Sequence, residues 1–223
     1  VTLKGDVIKE YDNGITVAEI AKSIGMGLYK SACGGKINGN YCDLRTAVNE
    51  DCSLEIVTFD EIEGKKTFWH TASHIMAQAV KRLYPDTKLA IGPSDDNGFY
   101  YDFDFPQGTK FTETDFTAVE KEMRRILTTG AEFVRKEVSK EEALKLFADE
   151  PYKVELINDL PEGETITTYE QDGFIDLCRG PHVATTKDIN GQAFKIAKVA
   201  GAYWRGDSSR PMLTRVYAYC FAK

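Results

Sequence analysis

The three histidines of this 223-residue chain all lie in two short segments that share one spacing. His70 and His74 form the first, His-x-x-x-His, and Cys178 and His182 form the second, Cys-x-x-x-His. Residues four apart on a helix project from the same face, which would make His70 and His74 neighbours. If the fold brings the two segments together, three imidazoles and one thiol surround a single point. Such a group could bind a metal ion or hydrolyse a bond.

Zinc is the first chemistry that these residue types permit. Imidazole nitrogen and thiolate sulfur are common Zn²⁺ ligands, and His-x-x-x-His on a helix is a known ligand spacing. Residues 70–74 lack the glutamate of the HExxH metalloproteases, so that mechanism is not indicated. Four protein ligands would also close the coordination sphere, which is typical of structural zinc. Catalysis by zinc would therefore need one position to open.

Hydrolysis without a metal is the second chemistry. A histidine with an ordinary pKa of about 6.5 can accept a proton from water at neutral pH. Neighbouring donors could stabilise the oxyanion that follows. Cys178 could be a nucleophile if a histidine lowered its pKa, or it could form a polar wall. A third alternative is that the histidines have no common role, but their confinement to two equally spaced segments argues against it.

Composition narrows the class of protein. The net charge of −7 argues against a broad, sequence-blind nucleic-acid binder, although a local basic groove stays open. The five cysteines form no CxxC pair, and the sequence has neither a signal peptide nor a long apolar run. We therefore expect a reduced, cytoplasmic protein without disulfides or a membrane partner. The chain begins at Val1 and stops at Lys223, which suggests a piece of a longer protein.

Residues 1–60 are predicted to form a small β-grasp (ubiquitin-like) domain. The pattern predicts a hairpin turning at 4–6, a helix at 17–24 capped by Thr16 and ended by Gly25 and Gly27, an Asn-Gly turn at 38–39, and a strand at 54–58. Residues 61–66 are charged, contain a glycine and are predicted to be a linker.

Residues 67–223 are predicted to form a larger α+β domain with an antiparallel sheet, because helices and strands do not alternate strictly. Thr67 is predicted to cap a helix over 68–84 that carries the first histidine pair. The remaining pattern predicts helices at about 112–128 and 140–147, and strands at 102–105, 133–138, 166–169, 174–177, 194–199 and 215–221. Cys178 would then leave the end of a strand.

The two histidine segments resemble the editing domain shared by threonyl- and alanyl-tRNA synthetases. Residues 91–93 (Ile-Gly-Pro), 96–102 (Asp-Asn-Gly-Phe-Tyr-Tyr-Asp) and 200–207 (Ala-Gly-Ala-Tyr-Trp-Arg-Gly-Asp) are similar to the bacterial threonyl-tRNA synthetases in particular. Residues 1–60 resemble the TGS module that precedes that editing domain. The resemblance covers essentially the whole chain and implies an N-terminal fragment. Domains for aminoacylation and anticodon binding would follow Lys223, so this chain is not expected to charge tRNA.

The resemblance implies hydrolysis of mischarged seryl-tRNA(Thr) to serine and tRNA(Thr). A threonine pocket discriminates poorly against serine, because one missing methyl group is worth only ~1–3 kcal/mol. A second site that removes the error is therefore needed. The implied partner is the 3′ end of tRNA(Thr) carrying serine. The parent enzyme would be a homodimer through the missing domains, and the fragment a monomer.

Five residues match the catalytic positions of that family. His70 is implied as the base, or as the group that orients water, and His74 would lie beside the ester. Cys178 and His182 would complete the pocket wall. Lys153 would bind the ribose or activate water.

Five more residues are candidates for substrate binding. Asp176 could bind the ammonium group of serine. Tyr101, Tyr203 and Trp204 could contact the terminal adenosine, or they could simply pack in the core. Arg179 could contact a tRNA phosphate or cap its own turn.

Zinc divides the relatives. The alanyl branch is associated with zinc on such a quartet, whereas the bacterial threonyl branch is generally read as working without it. No cofactor is therefore expected in this chain, while ATP and Zn²⁺ would serve the aminoacylation domain of the parent enzyme. Two alternatives stay open: a zinc-dependent, alanyl-type editing hydrolase, and a non-catalytic RNA-binding or regulatory module.

Overall fold

The computed structural model describes residues 1–222. The first domain contains, in order, β1 (Thr2–Leu3), β2 (Val7–Ile8), β3 (Ile15–Thr16), α1 (Val17–Ile24), α2 (Met26–Ser31), β4 (Ala32–Ile37), β5 (Asn40–Cys42), β6 (Ala47–Val48) and β7 (Leu54–Thr58). Its main sheet has the order β5-β4-β7 with antiparallel pairing. Helix α1 buries Val17, Ile20 and Ala21 in the core of this β-grasp domain.

Local sequence signals account for most of this domain. Thr16 forms a capping box with Glu19 at the start of α1, as its side chain predicts. Asn38 and Gly39 both adopt positive φ in the turn between β4 and β5, which such an Asn-Gly pair favours. The prediction for Gly27 was wrong. Gly25 alone ends α1, and Gly27 lies inside the second helix.

As far as residue 222, the second domain contains two antiparallel sheets and four α-helices. Its elements are α3 (Ile62–Leu83), β8 (Lys88–Leu89), β9 (Phe99–Asp104), α4 (Phe116–Thr129), β10 (Val134–Val138), α5 (Lys140–Leu146), α6 (Pro151–Asn158), β11 (Ile166–Gln171), β12 (Phe174–Leu177), β13 (Phe194–Tyr203) and β14 (Met212–Cys220). The sheets have the orders β13-β14-β9-β8 and β10-β11-β12. The predicted α+β class with antiparallel sheets is confirmed.

Helix α3 is the central element of this domain and begins earlier than predicted. Glu61 is its N-cap, so residues 62–66 of the predicted linker are helical. Gly64 makes this possible, since a Cβ there would lie 1.8 Å from the carbonyl oxygen of Thr58 at the end of β7. Thr67, the predicted cap, is buried inside the helix and its hydroxyl hydrogen-bonds Tyr41 of the first domain. The first and second domains are thus joined by continuous, packed backbone.

Helix α6 has no counterpart in the sequence-based predictions. It begins with Pro151 at its first position, a placement that suits proline because that N–H needs no partner. This helix brings Lys153 into the interior of the domain. Among residues 1–222, no helix combines the length and apolarity that a membrane span requires.

Candidate active site

The structure brings the two histidine segments to one point. His70 and His74 lie one turn apart on α3, while Cys178 and His182 lie in the loop that follows β12. One donor atom from each of the four side chains lies within 4.8 Å of the others. The imidazole centroids are 4.3–4.8 Å apart in all three pairs. We call these four residues the quartet.

Hydrogen bonds fix the tautomers of two histidines. The Thr71 hydroxyl donates to the Thr67 carbonyl, so its oxygen accepts the Nδ1 proton of His182 at 3.0 Å. Nδ1 of His70 donates to the Gly92 carbonyl at 3.2 Å. A neutral imidazole carries one N–H, so Nε2 of both His70 and His182 is a bare acceptor.

Both bare nitrogens face the thiol of Cys178. The sulfur lies 2.9 Å from Nε2 of His70 and 3.3 Å from Nε2 of His182. It also accepts the backbone N–H of Gly180 at 3.0 Å. A thiol has one proton, so only one of the two imidazoles can be satisfied by Cys178 at a time. The site therefore has a lone pair available for a water molecule or a cation.

Burial keeps the quartet uncharged. Desolvation lowers the pKa of His70, His74 and His182 below their usual range, and that of His74 to about 3. Burial likewise raises the pKa of the Cys178 thiol well above its usual value. The histidines are thus neutral, and each keeps one unprotonated ring nitrogen, whereas the thiol is a poor source of thiolate. This argues against Cys178 as the nucleophile.

A buried ion pair between Lys153 and Asp176 lies next to His74 of the quartet. Lys153 Nζ lies 2.6 Å from Asp176 Oδ1, and both side chains are at least 97% buried, with 3% and 1% exposure. Tyr101 donates its hydroxyl to Asp176 Oδ2 at 2.7 Å, and His74 Nε2 lies 3.6 Å from the same oxygen. Burial would raise the pKa of Asp176, but the Lys153 ammonium and the hydrogen bonds from Lys153 and Tyr101 together hold that pKa below its usual value.

The other predicted substrate contacts lie apart from this group. Trp204 packs with Ala90, Tyr152 and Leu213 in a separate core cluster, and its Nε1 donates to Glu155. Tyr203 is 41% exposed at the end of β13. Arg179 is exposed and pairs with Glu164. The contacts of Tyr203 and Arg179 with a substrate stay predictions. The surroundings of Trp204 are those expected if this side chain simply packs in the core.

A cleft between the two domains leads to the quartet. It encloses 360 Å³ and is lined by Tyr41 of the first domain and by Lys66, His70, Pro93 and Pro181 of the second. His70 is the quartet member that lines this cleft and is partly exposed. His74 and His182 are buried behind it. A ligand would therefore meet His70 first.

Sequence reasoning missed Thr71 and Gly92 as site residues. Each orients an imidazole through a backbone or hydroxyl oxygen, and such oxygens are too common in any sequence to mark a site. Only their positions could have indicated a role, since Thr71 lies within the His-x-x-x-His segment and Gly92 lies between Ile91 and Pro93. Gly92 is also required for fit, because a Cβ there would lie 2.1 Å from the Tyr101 ring.

Replacing Gly180 by alanine should destabilise the fold by more than the backbone strain alone. Gly180 has φ of 73°, and a Cβ there would lie 2.1 Å from the Tyr169 hydroxyl. The left-handed conformation costs an alanine about 1–2 kcal/mol. Gly173→Ala is the matched control, since its φ is 75° but no atom lies within 4 Å of its Cβ. Urea unfolding of both variants checks the prediction, and equal losses would contradict it.

The quartet has the chemistry of a zinc site. The N–H bonds to Gly92 and Thr71 turn bare Nε2 atoms inward, as hydrogen bonds to zinc-bound histidines do. Nδ1 of buried His74 also lacks a partner within residues 1–222. Zinc would be held by the quartet, where it would act as a Lewis acid on a carbonyl or on water.

Two family models match the chain. The TGS domain matches residues 1–58, and the "Threonyl and Alanyl tRNA synthetase second additional domain" matches residues 166–217, which include Asp176 and Cys178. The chain is therefore built from domains of aminoacyl-tRNA synthetases.

Curated relatives match over the entire chain. Threonine–tRNA ligases of Caldanaerobacter subterraneus subsp. tengcongensis, Clostridium perfringens and Clostridium tetani are 52%, 53% and 53% identical to it over 100% of its length. The chain spans only 34–35% of the length of these relatives. It belongs to the threonyl-tRNA synthetase family.

Proposed function

We propose that this chain is the editing part of a threonine–tRNA ligase and hydrolyses seryl-tRNA(Thr). Two findings support the reaction class: the match to a domain of threonyl and alanyl tRNA synthetases, and the identity to threonine–tRNA ligases. Serine lacks one methyl group of threonine, a difference of only ~1–3 kcal/mol in a binding pocket. A ligase for threonine thus needs a second, hydrolytic site.

The observation that carries the proposal is the bare Nε2 of His70 at the cleft. The Cys178 proton can turn toward Nε2 of His182, which lies 3.3 Å from the sulfur, and this frees Nε2 of His70. His70 then takes a proton from water, and the hydroxide attacks the carbonyl carbon of the ester. The bond to the ribose oxygen breaks, and that oxygen takes the proton back from His70. The products are serine and tRNA(Thr).

The buried Asp176–Lys153 ion pair provides the negative charge that we propose for binding the ammonium group of the substrate. The carboxylate of Asp176 adjoins His74 and favours a cationic group nearby, which suits the ammonium of the seryl ester. Its oxygens already accept bonds from Lys153, Tyr101 and its own neighbour Leu177. Asp176 thus acts mainly through its field, and Lys153 and Tyr101 hold it in place.

The remaining assignments extend to the whole protein. We assign residues 1–60 to the TGS domain and 67–223 to the editing domain, with 61–66 as the linker, which is helical from Ile62. Because the relatives are about three times longer, threonine activation with ATP, dimerisation and a cytoplasmic location are proposed for the full-length enzyme. The tRNA is the proposed partner of this chain.

A deacylation assay tests the proposal. The chain should release serine from seryl-tRNA(Thr), and His70→Gln should slow the hydrolysis by about 100-fold, the lower range for removal of a general base. Lys145→Gln is the control, because Lys145 is an exposed lysine of α5 that pairs with Glu141 and lies outside the cleft. Tight binding of tRNA without turnover would support a non-catalytic module instead. Preference for seryl-tRNA(Ala) would support an alanyl-type editor.

Zinc dependence is the second candidate, favoured by the inward-facing donor atoms of the quartet. We nevertheless propose hydrolysis without metal, as the threonyl family implies. Metal analysis of the purified chain separates the two. About one zinc per chain, lost in both His74→Ala and Cys178→Ala together with activity, would establish the zinc-dependent alternative.

A further inference from the structure

The first domain contacts the quartet directly, through the loop between β5 and β6. Asp43 Oδ2 accepts the backbone N–H of His182 at 3.2 Å and the hydroxyl of Tyr169 at 2.9 Å. Arg45 donates from Nη1 to the carbonyl oxygen of the same His182 at 3.0 Å. Both backbone polar groups of His182 are thus bound by the first domain.

Arg45 uses its whole guanidinium for this contact. Beyond His182, it donates from Nη2 to the carbonyls of Val183 at 2.8 Å and Ala184 at 3.4 Å, and from Nε to that of Phe133 at 2.5 Å. Its remaining N–H donates to Asp43 Oδ1 at 3.0 Å. Five donors therefore meet five acceptors, which a lysine with three donors cannot reproduce.

These bonds extend to the packing of the His182 ring. Tyr169, held by Asp43, packs edge-on against the imidazole with centroids 4.6 Å apart. Phe133, whose carbonyl binds Arg45, stacks on the ring at 5.1 Å. His182 is fully buried, so these neighbours and Thr71 determine where its Nε2 points.

We propose that Asp43 and Arg45 are positioning residues through which the TGS domain sets the geometry of the editing site. They bind the backbone of His182, and they act by holding its side chain against Cys178. The inference rests on the proposed hydrolysis. It gives the TGS domain a role within this chain, which is to complete a site whose histidines lie in the other domain.

Asp43→Asn breaks this arrangement with minimal change of shape. The asparagine oxygen can accept from His182 and Tyr169, but its NH₂ then faces the guanidinium of Arg45, donor against donor. The rate constant of hydrolysis in a single turnover at saturating seryl-tRNA(Thr) should fall roughly 10–100-fold, by analogy with the loss of partners that orient metal-binding histidines. The concentration giving half-maximal rate should change less than twofold. Arg45→Lys should give a similar loss, and Asp51→Asn, an exposed aspartate of the same domain, should keep the wild-type rate.

The imidazole signals of His182 provide a readout that is independent of turnover. In ¹⁵N-labelled chain, Asp43→Asn should shift the Nδ1 and Nε2 resonances of His182, and Asp51→Asn should not. If the wild-type chain hydrolyses no ester, the proposed function fails while these shifts still report on positioning. Wild-type rates in both variants, unshifted resonances, or a rate loss matched by loss of folded protein in near-ultraviolet circular dichroism would overturn the inference.

Discussion

Replacing Lys153 by methionine should lower the free energy of unfolding by about 3–5 kcal/mol, the range for breaking a buried ion pair by removing one partner. The reason is the charge left behind. Asp176 is 1% exposed, and its nearest cation is the Lys153 ammonium at 2.6 Å. Without that ammonium, the carboxylate must remain ionised in an apolar interior or take up a proton. Urea unfolding at pH 7 measures the loss.

The matched controls separate the buried charge from the loss of a lysine. Lys145→Met removes a lysine whose ion pair with Glu141 is 73% and 79% exposed, and it should cost at most about 0.5 kcal/mol. Asp176→Asn in the Lys153→Met background removes the stranded charge and should recover part of the stability. If the loss in free energy of unfolding of the double variant equalled the sum of the losses of the two single variants, the ion-pair explanation would fail.

The sequence predicts the four residues of the quartet better than it predicts the residues that position them. The quartet was identifiable because histidine and cysteine are rare and their spacing repeats. Lys153 was assigned by resemblance alone, because its helix α6 begins at Pro151 and was not predicted. The tautomers of His70 and His182 depend on the Gly92 carbonyl and the Thr71 hydroxyl, which come close only after folding.

The fold shows the same division between local and tertiary signals. The cap at Thr16 and the Asn38-Gly39 turn are predictable from the sequence, because each depends on residues no more than four positions apart. The start of α3 was not, since it depends on Gly64 meeting the Thr58 carbonyl. The contact of Arg45 with the His182 loop spans 137 residues and has no local signature.

Stability should fall as the pH drops from 7 to 5, because the quartet histidines are buried without charge. Folding lowers the pKa of His74 to about 3 and also lowers that of His182, while in the unfolded chain both are about 6.5. Below about pH 6.5 the unfolded state therefore binds more protons, and the free energy of unfolding falls as the pH falls. The slope is at most about 1.4 kcal/mol per pH unit for each histidine. Denaturant titrations with EDTA present, at half-unit steps, measure it.

His74→Gln identifies the source of this slope. Glutamine does not titrate. Between pH 6 and 5, the slope of the free energy of unfolding against pH should therefore be smaller in the variant by up to about 1.4 kcal/mol per pH unit, whatever its absolute stability. Asp176 does not imitate the effect, because folding lowers the pKa of its carboxyl and its contribution to stability is lost mainly below about pH 5. A wild-type chain equally stable at pH 7 and 5, or an unchanged slope in His74→Gln, would mean that these histidines are charged or hydrated in the folded state. The bare nitrogen that we assign to His70 as the base would then lose its physical support, because the quartet could no longer be treated as uncharged.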